Sequence, residues 1–185
     1  MKFLIYLLLA FSLFGCSNTT STKIKTDWER EIENLQTVEK RRTYLEQIYT
    51  KDQKVRQSEI EANQKFGYLS SEHENSLNEI ITVDAENTKR IEFYLSKYGH
   101  PKIEDYGKLA TNTPFFVIHH AQLISTREKN FNYFYNAYKT NNIRETEMSF
   151  YLNRWYRMKY NKEFERRDDE GEIEGLLKAL GLSDE

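Results

Sequence analysis

The chain has 185 residues and a mass of 22.2 kDa, room for one domain with a tail. Two prolines and seven glycines exclude collagen-like, low-complexity and many-turned all-β designs, and one cysteine excludes an internal disulfide framework and a multi-cysteine zinc site. With 27 Lys and Arg against 29 Asp and Glu, the formal net charge is −2, which gives no general attraction to nucleic acid.

The N-terminus reads as a membrane address. Met1-Lys2 is a short basic start, and Phe3 to Phe14 is apolar except for Ser12. Twelve helical residues span about 18 Å, short of a hydrocarbon core of ~30 Å, so the run reads as a secretory signal rather than a spanning helix. It ends in Leu13-Phe14-Gly15-Cys16, where the only cysteine of the chain falls. This resembles the bacterial lipobox, whose cysteine receives a diacylglyceryl group before cleavage and acylation of the new N-terminus. Cys16 is the expected lipidation site. Phe14 is bulkier than the usual residue there, and an ordinary signal peptide with an incidental cysteine is the competing reading. Ser17 after the cysteine points to the outer membrane, facing the periplasm. Residues 1–15 are thus expected to be the signal and 16–26 a polar tether.

The body, residues 27–167, is expected to be all-α, a single compact multi-helix domain, followed by a C-terminal amphipathic helix in 168–185. Asp27 reads as the cap of a first helix carrying Trp28, Ile32 and Leu35. A long helix follows from about Thr37 to Phe66, with a stripe of Val38, Leu45, Ile48, Asp52, Val55, Glu59 and Ala62. The next runs from about Glu72 to Tyr98, with Leu77, Ile80, Ile81, Asp84, Asn87, Thr88, Ile91, Tyr94, Leu95 and Tyr98 on its stripe, Gly99 at its end and Pro101 beyond. A loop with Gly107 leads to a helix start at Thr113-Pro114. Phe115 to Ile118 has strand propensity, but the spacing of Phe116, Val117, His120, Ala121 and Ile124 favours helix. Helices over Glu128 to Lys139 and Arg144 to about Met158 complete the domain. The tail helix opens at Asp168-Asp169-Glu170, carries Ile173, Leu176, Leu177 and Leu180, and closes at Gly181.

The chemical anomaly is polar residues on apolar stripes: Asp52, Asp84 with Asn87, and His120, on three different helices. A buried charge is tolerated only when paired and hydrogen-bonded. Arg56 is four residues after Asp52, within reach on one face, and Arg154 is a second available counter-charge. A shared polar pocket lined by Phe116, Tyr151 and neighbouring aromatics is the economical arrangement. It reads either as a network that fixes helix register or as a binding or catalytic site.

The same positions carry a family resemblance. In order they read Asp52-Gln53-x-x-Arg56, Asp84-x-x-Asn87, Gly99-His100-Pro101, Gly107, His120-Ala121 and Leu152-Asn153-Arg154. The series resembles the bacterial domain-of-unknown-function family numbered 6624 over roughly residues 40 to 160. It implies that Asp52, Gln53, Arg56, Asp84, Asn87, His100, His120 and Arg154 belong to one site. His100 stands where the family has tryptophan, His119 for glutamine, Gln122 for aspartate and Asn153 for aspartate. The family's Gln-x-Tyr-Gly-Thr-Gln segment is replaced by Tyr160-Asn161-Lys162-Glu163-Phe164 and charged residues. The family has no established activity, so the resemblance names no reaction.

No metal or cofactor is expected. His119 and His120 point about 100° apart on a helix, which suits a hydrogen-bonded histidine with an exposed neighbour better than two ligands of one ion. There is no Gly-x-Ser-x-Gly elbow and no Gly-rich phosphate loop. Tyr151 to Arg167 is basic and aromatic, but a solvated helix face with aromatic anchors in the core accounts for it. The partners expected are the membrane, through the lipid, and an envelope protein or cell-wall ligand, with no nucleic acid. The function expected is a non-enzymatic binding or scaffold module. The alternative is an envelope hydrolase using His120, the residue nearest to a catalytic role, with Asp52 or Asp84. A sealed cluster favours the first and a cleft exposing His120 beside the acids the second.

Overall fold

The structure, a computed structural model, describes residues 25–165 and 171–182. The expected signal segment, Cys16 and most of the expected tether lie outside them, as do Asp168, Asp169 and Glu170. The described residues form seven helices and no strand, in the order α1 Asp27–Glu33, α2 Val38–Phe66, α3 Ser71–Tyr98, α4 Ile103–His120, α5 Ile124–Lys139, α6 Glu145–Tyr160 and α7 Glu172–Leu180. The all-α expectation holds for them. None of these helices is long and apolar enough to cross a membrane.

Local chemistry sets the helix ends. Thr26, not Asp27, caps α1: its hydroxyl accepts from the Glu29 backbone while the Glu29 carboxylate accepts from the Thr26 amide. Asp27 is the first helical residue and pairs with Arg30. Thr37 caps α2 and Ser70 caps α3. Gly67, at φ 90°, makes the turn between those two helices, a conformation that a side chain would strain.

α2 and α3 form a long antiparallel hairpin. Leu45, Ile48, Asp52 and Val55 are buried on one side of the seam, and His73, Ser76, Val83, Asn87, Ile91, Tyr94 and Leu95 on the other. The α3 stripe is rotated by one residue from the expected one over its first half. Ser76 and Val83 face α2, while Leu77 and Ile81 are exposed, Ile81 at 66%. Periodicity fixes the spacing of a stripe, but the covering helix chooses its phase, and only α2 covers this half closely. The far end of the seam is held by His73, whose Nδ1 lies 2.7 Å from the Tyr68 carbonyl and Nε2 2.7 Å from Glu59.

α4 is the central helix and touches α2, α3, α5 and α6. It begins ten residues earlier than the expected Thr113 start. Gly107, at φ 73° and ψ 165°, breaks it once, and the chain then runs helically through Pro114 to His120. Pro114 leaves the Ala110 carbonyl without an N–H, but burial of every residue from Ala110 to Phe115 offsets one missing bond. Phe115 to Ile118 is helical, as the spacing favoured. α5 begins at Ile124, four residues before the expected Glu128.

The core lies where α4, α5, α6 and α7 meet the base of the hairpin. Phe134 sits at its centre, edge-on to Phe115 and Tyr151, and Trp155 stands edge-on to Phe131 and Tyr151. Ile173, Leu176, Leu177 and Leu180 of α7 pack into this core against α6, so the tail helix is part of the domain's packing. Each such side chain contributes about 1.5–3 kcal/mol on burial. Trp155 and Tyr156 are buried anchors of the basic α6 segment.

Candidate functional site

The hairpin seam brings Asp52 inward, and the end of α4 lays His120 over it. Asp52 is 1% exposed. His120 Nδ1 lies 3.2 Å from Asp52 Oδ1. A carboxylate only accepts, so Nδ1 carries the proton and Nε2 is the ring nitrogen left for other chemistry. Gln53 donates its amide to Asp52 Oδ2 at 2.8 Å. Arg56 spans both acids: Nη2 is 2.8 and 3.1 Å from the two Asp84 oxygens, and Nη1 is 3.4 Å from Asp52 Oδ1. Burial alone would raise the Asp52 pKa, but His120, Arg56 and Gln53 together hold it below the ordinary carboxylate value. Asp84 lies at the edge of the seam, a consequence of the rotated α3 stripe.

Asp52, Gln53, Arg56, Asp84 and His120 therefore converge as expected, Arg154 stands within reach of their charges, and Asn87 and His100 do not join them. Asn87 is buried one turn beyond Asp84. In an antiparallel pair that step brings it beside Tyr44, Ile48 and Lys51 instead of Asp52, and its amide makes no hydrogen bond. His100 follows α3 by a helical distance of about 24 Å from Asp84. It packs edge-on to Phe134 and donates from Nδ1 to the Pro101 carbonyl at 3.0 Å, lining a separate cavity with Tyr133 and Asn136. Burial lowers its pKa to about 4. Arg154 is half-buried on α6 and feels the charge of Asp84, but makes no hydrogen bond among the described residues. Tyr151 belongs to the core, its hydroxyl donating to the Arg127 carbonyl at 2.5 Å, and Phe116 packs on Tyr49. Neither lines the cluster's opening. His119 is not an exposed neighbour: it stacks on Phe115 with Nδ1 buried.

The cluster opens on a groove that sequence reasoning missed. A cavity of about 440 Å³ lies between α3 and the α4–α5 turn. Ile80, Ile81, Ala85, Ala121 and Leu123 form its apolar lining, and His120 and Asp84 stand among its polar residues. Leu123 and Ile81 are each 66% exposed. Lys89 and Glu92 stand at the rim, with Glu92 held by Lys129 at 2.7 Å. The signal for it in the sequence was the Ile80-Ile81 doublet, which cannot place both side chains in one seam.

Asp52, Asp84 and His120 each offer a ligand atom within 4.8 Å of the others, a spacing that suits a metal ion. These residues were not the histidine set weighed from sequence. The donor set fits an ion poorly, because Arg56 already lies between the carboxylates and occupies three of their oxygens. A divalent cation would have to displace that guanidinium. Comparisons with protein-family models, with curated proteins and with solved structures each found no match.

Proposed function

We propose that this chain is a lipid-anchored protein of the bacterial cell envelope whose helical body binds a small, largely apolar ligand in the groove beside His120. The observation that carries the reading is the groove itself: about 440 Å³, mostly apolar, with a few polar groups converging on one wall. Ligand sites of this size and lining orient their ligand through such groups. His120 Nε2 and the Asp84 carboxylate serve that purpose here, and Asp52 and Arg56 hold them in place. The motif order supports membership of the domain-of-unknown-function family 6624, and the lipobox-like segment at Cys16 supports the anchor on the periplasmic face of the outer membrane.

The test is titration with an apolar fluorophore such as 1-anilinonaphthalene-8-sulfonate, comparing wild type with Ala85→Trp, which fills the groove from α3. Saturable enhancement in wild type that is lost in the variant, with helicity unchanged, is the expected result. No saturable binding, or equal binding by both, overturns the groove as a ligand site.

A second reading is the one that an open cleft exposing His120 beside Asp84 favours, and it rests on one further contact. The Asp52 carboxylate fixes the His120 ring through Nδ1, which is how a general base is oriented, and the ring borders a cleft. On this reading the protein is an envelope hydrolase in which His120 Nε2 takes a proton from water, with Asp52 as the orienting acid.

A further inference from the structure

We propose that Arg127, Arg154 and His119 form a binding site for an oxyanion, the carboxylate or phosphate group of a ligand. None of the three lines the groove, so the site stands apart from the reading above. Positive charge is gathered there with no acid bonded to Arg127 or Arg154 among the described residues.

Arg127, in the first turns of α5, is 0% exposed and heads the large buried side chains. Its Nη2 donates to the His119 carbonyl at 2.6 Å, its Nε approaches Met158 Sδ at 3.3 Å, and its guanidinium carbon lies 5.4 Å from the centre of the Tyr151 ring. None of these partners carries a negative charge. The contact with the last turn of α4 accounts for one donor, because helix ends leave carbonyls in need of one. Nη1 remains buried with no partner.

His119 is the centre of the group. Its Nδ1 is also buried without a partner, and Arg127 on α5 and Arg154 and Arg157 on α6 all act on its ring. After the dominant effect of burial, those three charges help push its pKa down to about 3, so the ring is neutral. Arg154 adds to the lowering of Arg127 to about 10, again after burial. The acid that Arg154 feels is Asp84, which Arg56 already holds. The first turn of α5 carries no acidic residue and no side-chain cap.

A buried guanidinium without a counter-charge is among the costliest arrangements in a protein interior. An oxyanion supplies what each group lacks. Arg127 Nη1 is free to donate to a carboxylate or phosphate oxygen, and half-buried Arg154, whose charge acts on both Arg127 and His119, offers a second guanidinium to the same group. A neutral imidazole contributes one further donor without adding repulsion.

The experiment uses the full-length protein and two probes at matched ionic strength, inorganic phosphate and acetate. Binding is read as saturable movement of the His119 ring resonances, assigned with His119→Gln. The variant is Arg154→Gln, because Arg127 also holds the end of α4 and its loss endangers the fold. Saturation with phosphate alone assigns a phosphoryl group, and saturation with acetate assigns a carboxylate. In either case the affinity falls about tenfold or more in Arg154→Gln, the loss of one charge-assisted bond. Absence of saturation with both probes, or an unchanged affinity in Arg154→Gln, overturns the site.

Discussion

Arg56 on α2 and Asp84 on α3 meet side by side across the edge of the hairpin, 28 residues apart in sequence, with one guanidinium nitrogen within 3.1 Å of both carboxylate oxygens. The same guanidinium reaches Asp52, which His120 covers from α4. One arginine thus ties three helices together at the wall of the groove.

Removing that side chain leaves two carboxylates with reduced compensation, one of them fully buried. Arg56→Ala is expected to destabilise the protein by about 2–4 kcal/mol, between the values for exposed and fully buried pairs. Arg56→Lys should recover part of this, since an ammonium restores charge but not the fork. Denaturant unfolding measures both, and a loss below about 0.5 kcal/mol for the alanine variant would show that the bridge contributes nothing beyond an exposed pair.

Stability is expected to fall on acidification well before the carboxylates titrate. His100 and His119 are neutral in the fold because burial lowers their pKa values from 6.5 to about 4 and about 3. Below pH 6.5 the unfolded chain takes up protons that the folded one refuses, so stability is complete above that pH and declines towards pH 4. For His100 the decline amounts to about 3 kcal/mol. His100→Asn keeps a donor for the Pro101 carbonyl and cannot titrate, so unfolding curves between pH 7 and 4 should be flatter for it. Parallel curves would contradict a buried neutral His100. Asp52, lowered in the fold, contributes in the opposite chemical sense but the same direction: its stabilisation is present above its unfolded value and is lost only at more acid pH.

His120→Gln separates the two functional readings. Glutamine retains a donor for Asp52 but has no titrating nitrogen. As a ligand contact, the change should weaken fluorophore binding modestly and leave unfolding within about 1 kcal/mol of wild type. As a general base, it should lower the hydrolysis of an activated ester by about 10²–10⁴-fold with stability intact. An ester hydrolysed equally by both proteins rules out the hydrolase reading for that substrate.

Cys16 lies outside the described residues, and its role is a matter for cell fractionation. Cys16→Ala is expected to move the protein from the membrane to the soluble fraction, and wild type to incorporate labelled palmitate while the variant does not. A variant that stays with the membrane, alongside a wild type that takes up no label, contradicts the lipid anchor.

Much of the helix layout was written in local sequence. The extent of the long helix to Phe66, the stop at Gly99 and the heptad-like spacing from Leu45 to Val55 are decisions of neighbouring residues, and they read correctly because helices obey local rules. So did the presence of polar groups on apolar stripes, and the pairing of Arg56 with Asp52 one turn away. The rest depended on which helix covers which. Nothing local tells Asp84 that Arg56 crosses to it from α2, or that His120 Nδ1 will meet Asp52 68 residues away. Periodicity leaves the phase of a stripe open by one residue, which is why Leu77 and Ile81 were placed inward and the groove that Ile81 borders was missed. Asn87 and His100 were read into the same site, but an antiparallel hairpin advances in opposite directions along its two helices, and a residue one or more turns along faces a different neighbour. Arg127 shows the same limit most plainly: an arginine in a polar helix reads as surface, and only the packing of α4, α5 and α6 around it makes it the most deeply buried charge in the described structure.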